Sequence, residues 1–341
     1  MKILVVGPSW VGDAVMAQSL YKLILKETKN KIDVLAPKWT LGVLDRMKEV
    51  ETSICSPFDH GEFKFCKRVE FGRSMKSRSY DQAIILTNSL KSAVIPYFSK
   101  IPKRTGWLGE MRYGLINDIR KFDRTKDTLM IEKFAVLADD ISNKNIEIPW
   151  PSLSINTDNL LRLSNNFSFD IERKTLSICP GAEFGPSKRW PTNYFAEVVL
   201  NYLSKDWQVF ILGSSKDVKI SSEIKEKVPA QYHQNLFNFT GSTKIVDAID
   251  ILSNSNLVLT NDSGLMHIAA AVDSKLLALY GPTSPEFTPP LSKKAKIIKK
   301  VSGMDKTRRG SVAGGYHPSL LMIKPDEVME NLDSLEKTSS L

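Results

Sequence analysis

The chain has 341 residues, of which 42% are hydrophobic and 25% charged. That composition excludes a disordered chain, and the length exceeds one ordinary core, so two domains are expected. Lysine and arginine exceed aspartate and glutamate by 47 − 38 = 9, a surplus that favours an anionic partner without choosing among nucleic acid, a phosphorylated substrate and an acidic membrane face.

No uncharged apolar run reaches the roughly 18 residues of a membrane span. Cys55, Cys66 and Cys179 are an odd number without metal-ligand spacing, which predicts reduced thiols in a cytoplasmic protein. Ile3 to Val6 form an apolar strand that is too short for a signal peptide. Gly7 to Gly12 make a loop, and Ala14 to about Lys29 a helix with Met16, Leu20, Leu23 and Ile24 on one face. A strand at 32–36 follows at once, and this strand–helix–strand start implies a parallel, doubly wound sheet. A central strand is expected at 82–86, a shorter one at 103–107 and a helix over 128–140. Ile148-Pro149-Trp150-Pro151 then interrupts the pattern, and 152–172 is polar and weakly patterned. The domain connection is placed there, giving domains at 1–160 and 161–341.

The pattern restarts with a strand at 175–179, a long loop to Pro191 and a helix at 192–204, whose Phe195, Val198, Val199, Tyr202 and Leu203 recur at helical spacing. Strands at 207–212, 257–260 and 275–280 alternate with helices near 217–227, 244–253 and 264–272. A final helix at 325–335 is expected to pack back on the first domain. Two such α/β domains, with loops at the carboxyl ends of their strands, predict a ligand cleft between them.

Leu257-Val258-Leu259-Thr260 feeds Asn261-Asp262-Ser263-Gly264 and then an apolar-periodic helix. Asp262 or Ser263 suits an N-cap, and Gly264 admits close backbone approach. The first amides of the helix, with its macrodipole, suit a phosphate. Capping alone explains Asp262 and Ser263 equally well, and His267 by itself reads as packed or solvated.

The loop Gly7 to Asp13 lacks both the Lys-Ser/Thr of a P-loop and the Gly-x-Gly-x-x-Gly of a dinucleotide fold. A Walker-type hydrolase and a dinucleotide oxidoreductase are therefore disfavoured. Asp13 stands where the helix begins, either as a partner of the helix dipole or as a carboxylate able to take a proton from a hydroxyl. In the loop 180–191, Lys188 is a point charge suited to a diphosphate, while Arg189 fits a solvated flank equally well. Thr240 to Thr243 opens another helix, where Ser242 or Thr243 either caps it or touches a nucleotide. Tyr280-Gly281-Pro282 ends the last strand in what Gly and Pro explain as a plain turn. Junctions of this kind on one rim add up to a nucleotide-diphosphate site.

The first domain carries charge of its own. Residues 61–80 hold six Lys/Arg against two acids, and 91–127 hold nine against four. Lys91, Arg104 and Arg112 sit among Tyr97, Trp107 and Tyr113 without an RNA-recognition signature. A phosphorylated, carboxylated glycolipid at a membrane face satisfies the same electrostatics, and so does a solvated surface.

With those residues in view, the chain resembles the ADP-heptose glycosyltransferases of glycosyltransferase family 9. The likeness is carried by KILVVGPSWVGDAVMAQSLY at 2–21, NSLKSAVIPYF at 88–98, IPKRTGWLGEMRYGLINDIR at 101–120, CPGAEFGPSKRWP at 179–191, TNDSGLMHIAAA at 260–271, LYGPTSPEFTPPLS at 279–292 and GYHPSL at 315–320. It runs nearly end to end. The resemblance implies a GT-B fold, two Rossmann-like doubly wound parallel-sheet domains. It also implies inverting transfer of L-glycero-D-manno-heptose from ADP-heptose to the first heptose of a heptosyl-Kdo2-lipid A type acceptor, by a cytoplasmic enzyme peripheral at the inner membrane. The family's catalytic acid falls on Asp13, as general base, and its phosphate-binding lysine on Lys188. Its Asp-Ser/Thr-Gly-x-x-His element falls on Asp262, Ser263, Gly264 and His267. Ser9, Gly12, Thr240 and Ser242 join the expected donor site, and Lys91, Arg104 and Arg112 the expected acceptor site. A lysine and a helix amino terminus can stabilise departing ADP without a bound metal, so no cofactor is required, although magnesium stimulation stays compatible with this reading. A transferase for a UDP- or GDP-linked sugar, or a noncatalytic RNA-binding module, remains the alternative. The module leaves Asp13 unexplained.

Overall fold

The computed structural model describes residues 1–59, 61–121, 129–138, 147–305 and 307–338. The chain divides into two compact units, Met1–Pro151 and Ser152–Leu341.

In the first unit, β1 (Ile3–Val6), β2 (Ile32–Pro37) and β4 (Gln82–Ile85) are wholly buried, as central strands of a parallel sheet covered on both faces are. β3 (Val50–Ser56), β5 (Lys103–Trp107) and β6 (Asp118–Arg120) complete a parallel sheet in the order β3-β2-β1-β4-β5-β6. Helices α1 (Val11–Thr28), α2 (Lys38–Leu44), α3 (Phe65–Ser74), α4 (Leu90–Phe98) and α5 (Met130–Ala135) belong to the same unit. α1 buries Met16, Leu20, Leu23 and Ile24 as its periodicity predicts. Of the helix expected over 128–140, α5 is observed, while residues 128, 139 and 140 lie outside the described residues.

The second unit repeats the plan with β7 (Thr175–Cys179), β8 (Gln208–Ile211), β9 (Leu236–Asn238), β10 (Leu257–Asn261), β11 (Leu276–Tyr280) and β12 (Ala295–Lys299). Their order is β12-β11-β10-β7-β8-β9, again wholly parallel. Numbered within each unit, both sheets run 3-2-1-4-5-6, the doubly wound Rossmann order. The connections are α7 (Thr192–Ser204), α8 (Val218–Glu226), α9 (Ile245–Asn254) and α10 (Gly264–Ala271). Because every pairing is parallel, all carboxyl-end loops of a unit emerge along one edge. The strand order reverses between β1 and β4 in the first sheet and between β7 and β10 in the second. A crevice opens at each reversal.

The stretch 152–172, polar and weakly patterned in sequence, contains α6 (Thr157–Phe167), which buries Leu160 and Leu163. Asn156 caps it by accepting from the Asn159 amide at 3.0 Å, and the Asn159 side chain donates to Asp247 and Asp250 of α9, so this helix belongs to the second unit. The final helix, α12 (Pro325–Lys337), follows a short α11 (Pro318–Leu321) and contributes to the core of its own unit. Its Val328, Leu332 and Leu335 join the core of the second sheet beside Leu257, Leu277 and Tyr202. Exposed pairs such as Lys174–Glu336 at 2.7 Å and Lys205–Asp333 at 3.3 Å edge that contact, but the apolar stripe outweighs such surface pairs. Leu332→Ala should therefore cost about 2–5 kcal/mol in urea unfolding. A loss below about 0.5 kcal/mol would contradict the packing described.

Candidate active sites at the two strand-order reversals

In the first unit, the reversal between β1 and β4 opens into a cavity of about 490 Å³, within the range of small-molecule pockets. Its wall includes Ser9 and Asp13 after β1, Asn88 and Lys91 after β4, and Lys133 of α5. The β1–α1 loop is fixed by the Trp39 indole, which donates to the Ser9 carbonyl at 2.8 Å. Asp13 stands in the first turn of α1, half-buried. Gly12 lies buried inside that turn and is not among the cavity-lining residues.

The expected acceptor cations divide. Lys91 lines the cavity. Arg112 does not, because it is completely buried and its guanidinium is spent on the Thr87 carbonyl at 2.7 Å, Ser92 Oγ at 3.0 Å, Asn88 Oδ1 at 3.1 Å and the Trp107 carbonyl. It ties the β4–α4 and β5–β6 connections together. Arg104 likewise donates to the carbonyls of Ile101 and Leu115, both at 2.7 Å, and lies over the Tyr97 ring. Sequence reading takes both for ligand cations because a guanidinium's partners here are main-chain carbonyls, which no side-chain pattern reveals. It passed over Lys133, which lines the cavity and lies over the Trp107 ring at 5.1 Å.

In the second unit, the reversal between β7 and β10 holds Lys188 and Asp262. Lys188 Nζ lies 2.6 Å from Asp262 Oδ2, and the same oxygen accepts from Thr283 Oγ1 at 2.6 Å. Three loops that follow three different strands thus meet on one carboxylate. Asn261, fully buried at the end of β10, clamps the long loop at both ends: its amide donates to the Pro180 carbonyl at 2.8 Å and its Oδ1 accepts from the Trp190 amide at 3.1 Å. Trp190 is buried against Phe195, and its indole donates to the Ile323 carbonyl at 3.0 Å. Gly185 has φ +145°, and a Cβ there would meet the Arg308 carbonyl at 2.4 Å. A side chain would therefore push Arg308 off the loop. Asn261 and Thr283 were not singled out from sequence. Both resemble ordinary turn residues until the strands bring them to the pair.

Ser263 precedes α10 in an extended conformation and makes no side-chain cap, and Gly264 begins the helix. His267, one turn on, is buried, and burial holds its imidazole down at about 4, an effect that the Asp262 carboxylate opposes and the Lys188 ammonium reinforces. It is therefore neutral near pH 7. Thr240 and Ser242 lie on the β9 side of the same edge, away from the ion pair. Thr240 is buried and its hydroxyl makes no hydrogen bond, whereas Ser242 is exposed. Asp217 accepts from the Ser214 amide and hydroxyl and lies 4.0 Å from Arg189, so Arg189 is a partner of this loop and not a solvated flank. A Cβ at Gly181 would strike the Asp217 carboxylate at 2.5 Å. Among the described residues, no group of three or more His, Cys, Asp and Glu side chains is gathered as a metal would need.

These features define a two-sheet α/β protein with a carboxylate at one crevice and a cation beside a helix amino terminus at the other. Residues 68–317 match the sequence pattern of glycosyltransferase family 9 (heptosyltransferase). The chain is 44% identical over 342 residues to lipopolysaccharide heptosyltransferase 2 of Salmonella typhimurium, covering 98% of both. It is 43% identical to lipooligosaccharide heptosyltransferase 2 of Haemophilus influenzae, covering 98% of this chain and 99% of that one. The solved structure of E. coli ADP-heptose LPS heptosyltransferase II superposes with a TM-score of 0.90 at 41% identity, over 98% of both chains. The chain belongs to glycosyltransferase family 9, the heptosyltransferases, and its two parallel sheets are those of GT-B enzymes.

The neutral His267 has a stability consequence. Its imidazole is depressed from 6.5 to about 4 in the fold, so the unfolded chain binds the extra proton between those values. Its contribution is complete above pH 6.5 and is lost as pH falls toward 4. Wild type should lose roughly 3 kcal/mol more than His267→Asn over that interval in urea unfolding. Parallel pH profiles for the two proteins would show that His267 is not held neutral.

Proposed function

We propose that this enzyme transfers L-glycero-D-manno-heptose from ADP-heptose, with inversion, onto the first heptose of a lipopolysaccharide inner core. The observation that carries the reading is the full-length likeness to proteins named lipopolysaccharide heptosyltransferase 2 and ADP-heptose LPS heptosyltransferase II, together with the Lys188–Asp262 pair at the foot of α10. In the proposed reaction the acceptor hydroxyl, held at Asp13, attacks the anomeric carbon on the face opposite the diphosphate. The hydroxyl proton passes to the Asp13 carboxylate. The bond from the anomeric carbon to the β-phosphate oxygen breaks, and ADP leaves with the electron pair. Lys188 and the first amides of α10 meet the charge that develops on the diphosphate. Neutral His267 suits a hydrogen-bonding role beside that anion. Ser9 and Gly12 belong on this reading with the base and not with the diphosphate, because Ser9 lies in the β1–α1 connection and Gly12 in the first turn of α1 beside Asp13.

Lys91 and Lys133 are the cavity cations we assign to an acidic acceptor. Among the described residues no helix is long and apolar enough to cross a membrane, and we propose that the enzyme meets its lipid-anchored acceptor at the cytoplasmic face of the inner membrane. We further propose that transfer needs no resident metal.

Asp13→Ala should lower the transfer rate by at least about 10²-fold, the scale of general-base loss, while ADP-heptose binding by calorimetry stays near wild type. Near-normal turnover would remove Asp13 as base. Lys188→Ala should raise KM for the donor and lower kcat together, and unchanged constants would detach the lysine from the diphosphate. Chelation with EDTA should leave the rate unaltered, and a loss restored by Mg²⁺ would overturn the metal-free reading. Product analysis with ADP-heptose, UDP-sugars and single-stranded RNA as competing ligands separates this function from the alternatives.

A further inference from the structure

The first unit carries an unusual run of exposed aromatic side chains. Phe63 stacks on Phe65 with ring centroids 5.9 Å apart, Phe65 meets Phe98 edge-on at 6.2 Å, and Phe98 meets Tyr97 at 5.2 Å. Phe63, Phe65 and Tyr97 remain 48%, 45% and 38% exposed despite these contacts. Rings that stack on one another while staying in water form a continuous patch, and such patches mark interaction surfaces. Arg104, lying 5.3 Å from the Tyr97 ring and donating to the carbonyls of Gly114 and Leu115, joins the patch to the neighbouring loop. There Met111 and Tyr113 are 83% and 69% exposed, the highest values among the described large apolar side chains.

Charge and position say what covers this strip. The segment 61–80 carries six Lys/Arg against two acids. Of the six, Arg68 is turned inward onto the Phe58 ring and the Phe63 carbonyl. Lys64, Lys67 and Arg73 are exposed on or beside α3, as is Lys100 just after Tyr97 and Phe98. Aromatic rings beside lysines match the headgroup level of a bilayer, where rings enter the interface and ammonium groups meet anionic phosphates. α3 and α4 also supply Arg68, Lys91 and Ile95 to the Asp13 cavity, so the strip is built on the walls of that cavity. A nucleic acid would meet the same cations, but nothing about it calls for Met111 or for rings stacked on each other.

We propose that the Phe63–Phe65–Phe98–Tyr97 strip, with its lysines and the Met111–Tyr113 loop, docks the enzyme on an anionic lipid surface and so brings a membrane-anchored acceptor to the Asp13 cavity. The proposal rests on the lipid-linked acceptor of the preceding reading, and its test separates the two.

The full chain is mixed with phosphatidylcholine vesicles, with and without phosphatidylglycerol, and sedimented. Wild type should partition onto the anionic vesicles and be released by salt. Phe63→Ser/Phe65→Ser should weaken that partition at least tenfold. Lys67→Gln/Lys100→Gln should weaken it by about twenty-fivefold, each near-surface cation contributing about fivefold. All four positions are exposed, so thermal melting should stay close to wild type, and transfer to a deacylated, water-soluble acceptor should be unchanged. The docking surface is overturned if the aromatic variant partitions like wild type, or if neutral vesicles bind equally well. Gel filtration showing a wild-type dimer that the aromatic variant splits would also overturn it, by assigning the strip to a second copy. Failure of wild type to use the soluble acceptor would strike at the proposed transfer and leave the vesicle result standing.

Discussion

One ion pair organises the second unit. Withdrawing an ammonium and a carboxylate from water costs more than their attraction returns unless hydrogen bonds complete the site, so a pair such as Lys188–Asp262 is weak evidence for stability and better evidence for a held arrangement. The surrounding chemistry supplies the completion. Thr283 donates to the carboxylate oxygen that Lys188 also contacts, and Asn261 ties both ends of the loop that carries the lysine. Gly185 allows the Arg308 backbone to lie against that loop. The same pair acts on His267 in both directions, while burial, the larger effect, keeps the ring neutral. A preorganised cation beside an uncapped helix amino terminus is the arrangement that a departing diphosphate calls for.

The first unit uses the same topology to gather a different set of side chains. Both sheets reverse strand order between their first and fourth strands, and both reversals open a crevice at the carboxyl edge. At one the loops present Asp13 with Lys91 and Lys133, and at the other Lys188 with Asp262. On the proposed reading this divides the labour of a displacement, with proton removal assigned to one fold and leaving-group stabilisation to the other. Arg112 shows what such a division demands of the scaffold. A buried guanidinium holding several carbonyls fixes the β4–α4 loop that brings Lys91 to the cavity wall.

Central strands and helix faces were legible in the chain because buried parallel strands read as unbroken apolar runs and α7 repeats its apolar residues at helical spacing. The edges were not. β3 and β12 are polar and half-exposed, and β6 and β9 are three residues each, so none carries the apolar run that marks a central strand. α6 escaped notice because only Leu160 and Leu163 are buried beneath a polar surface. Among candidate site residues, the motif-bearing Asp13, Lys188, Asp262 and His267 were singled out from their loops and the family likeness. The main-chain partners of Arg104 and Arg112 were not legible because charge in a sequence does not say which way a side chain turns.

The sequence by itself determined the class of the fold, the family and the loops in which the chemistry would lie, because strand–helix alternation and loop motifs are local properties. Only the tertiary structure decided which side chains share a carboxylate, which cations are consumed by main-chain carbonyls, and that α12 closes the second core. Those outcomes depend on residues tens to more than a hundred positions apart, such as Lys188 with Asp262 and Trp190 with Ile323. Their meeting is fixed by parallel register and by the cost of leaving a buried polar group without a partner.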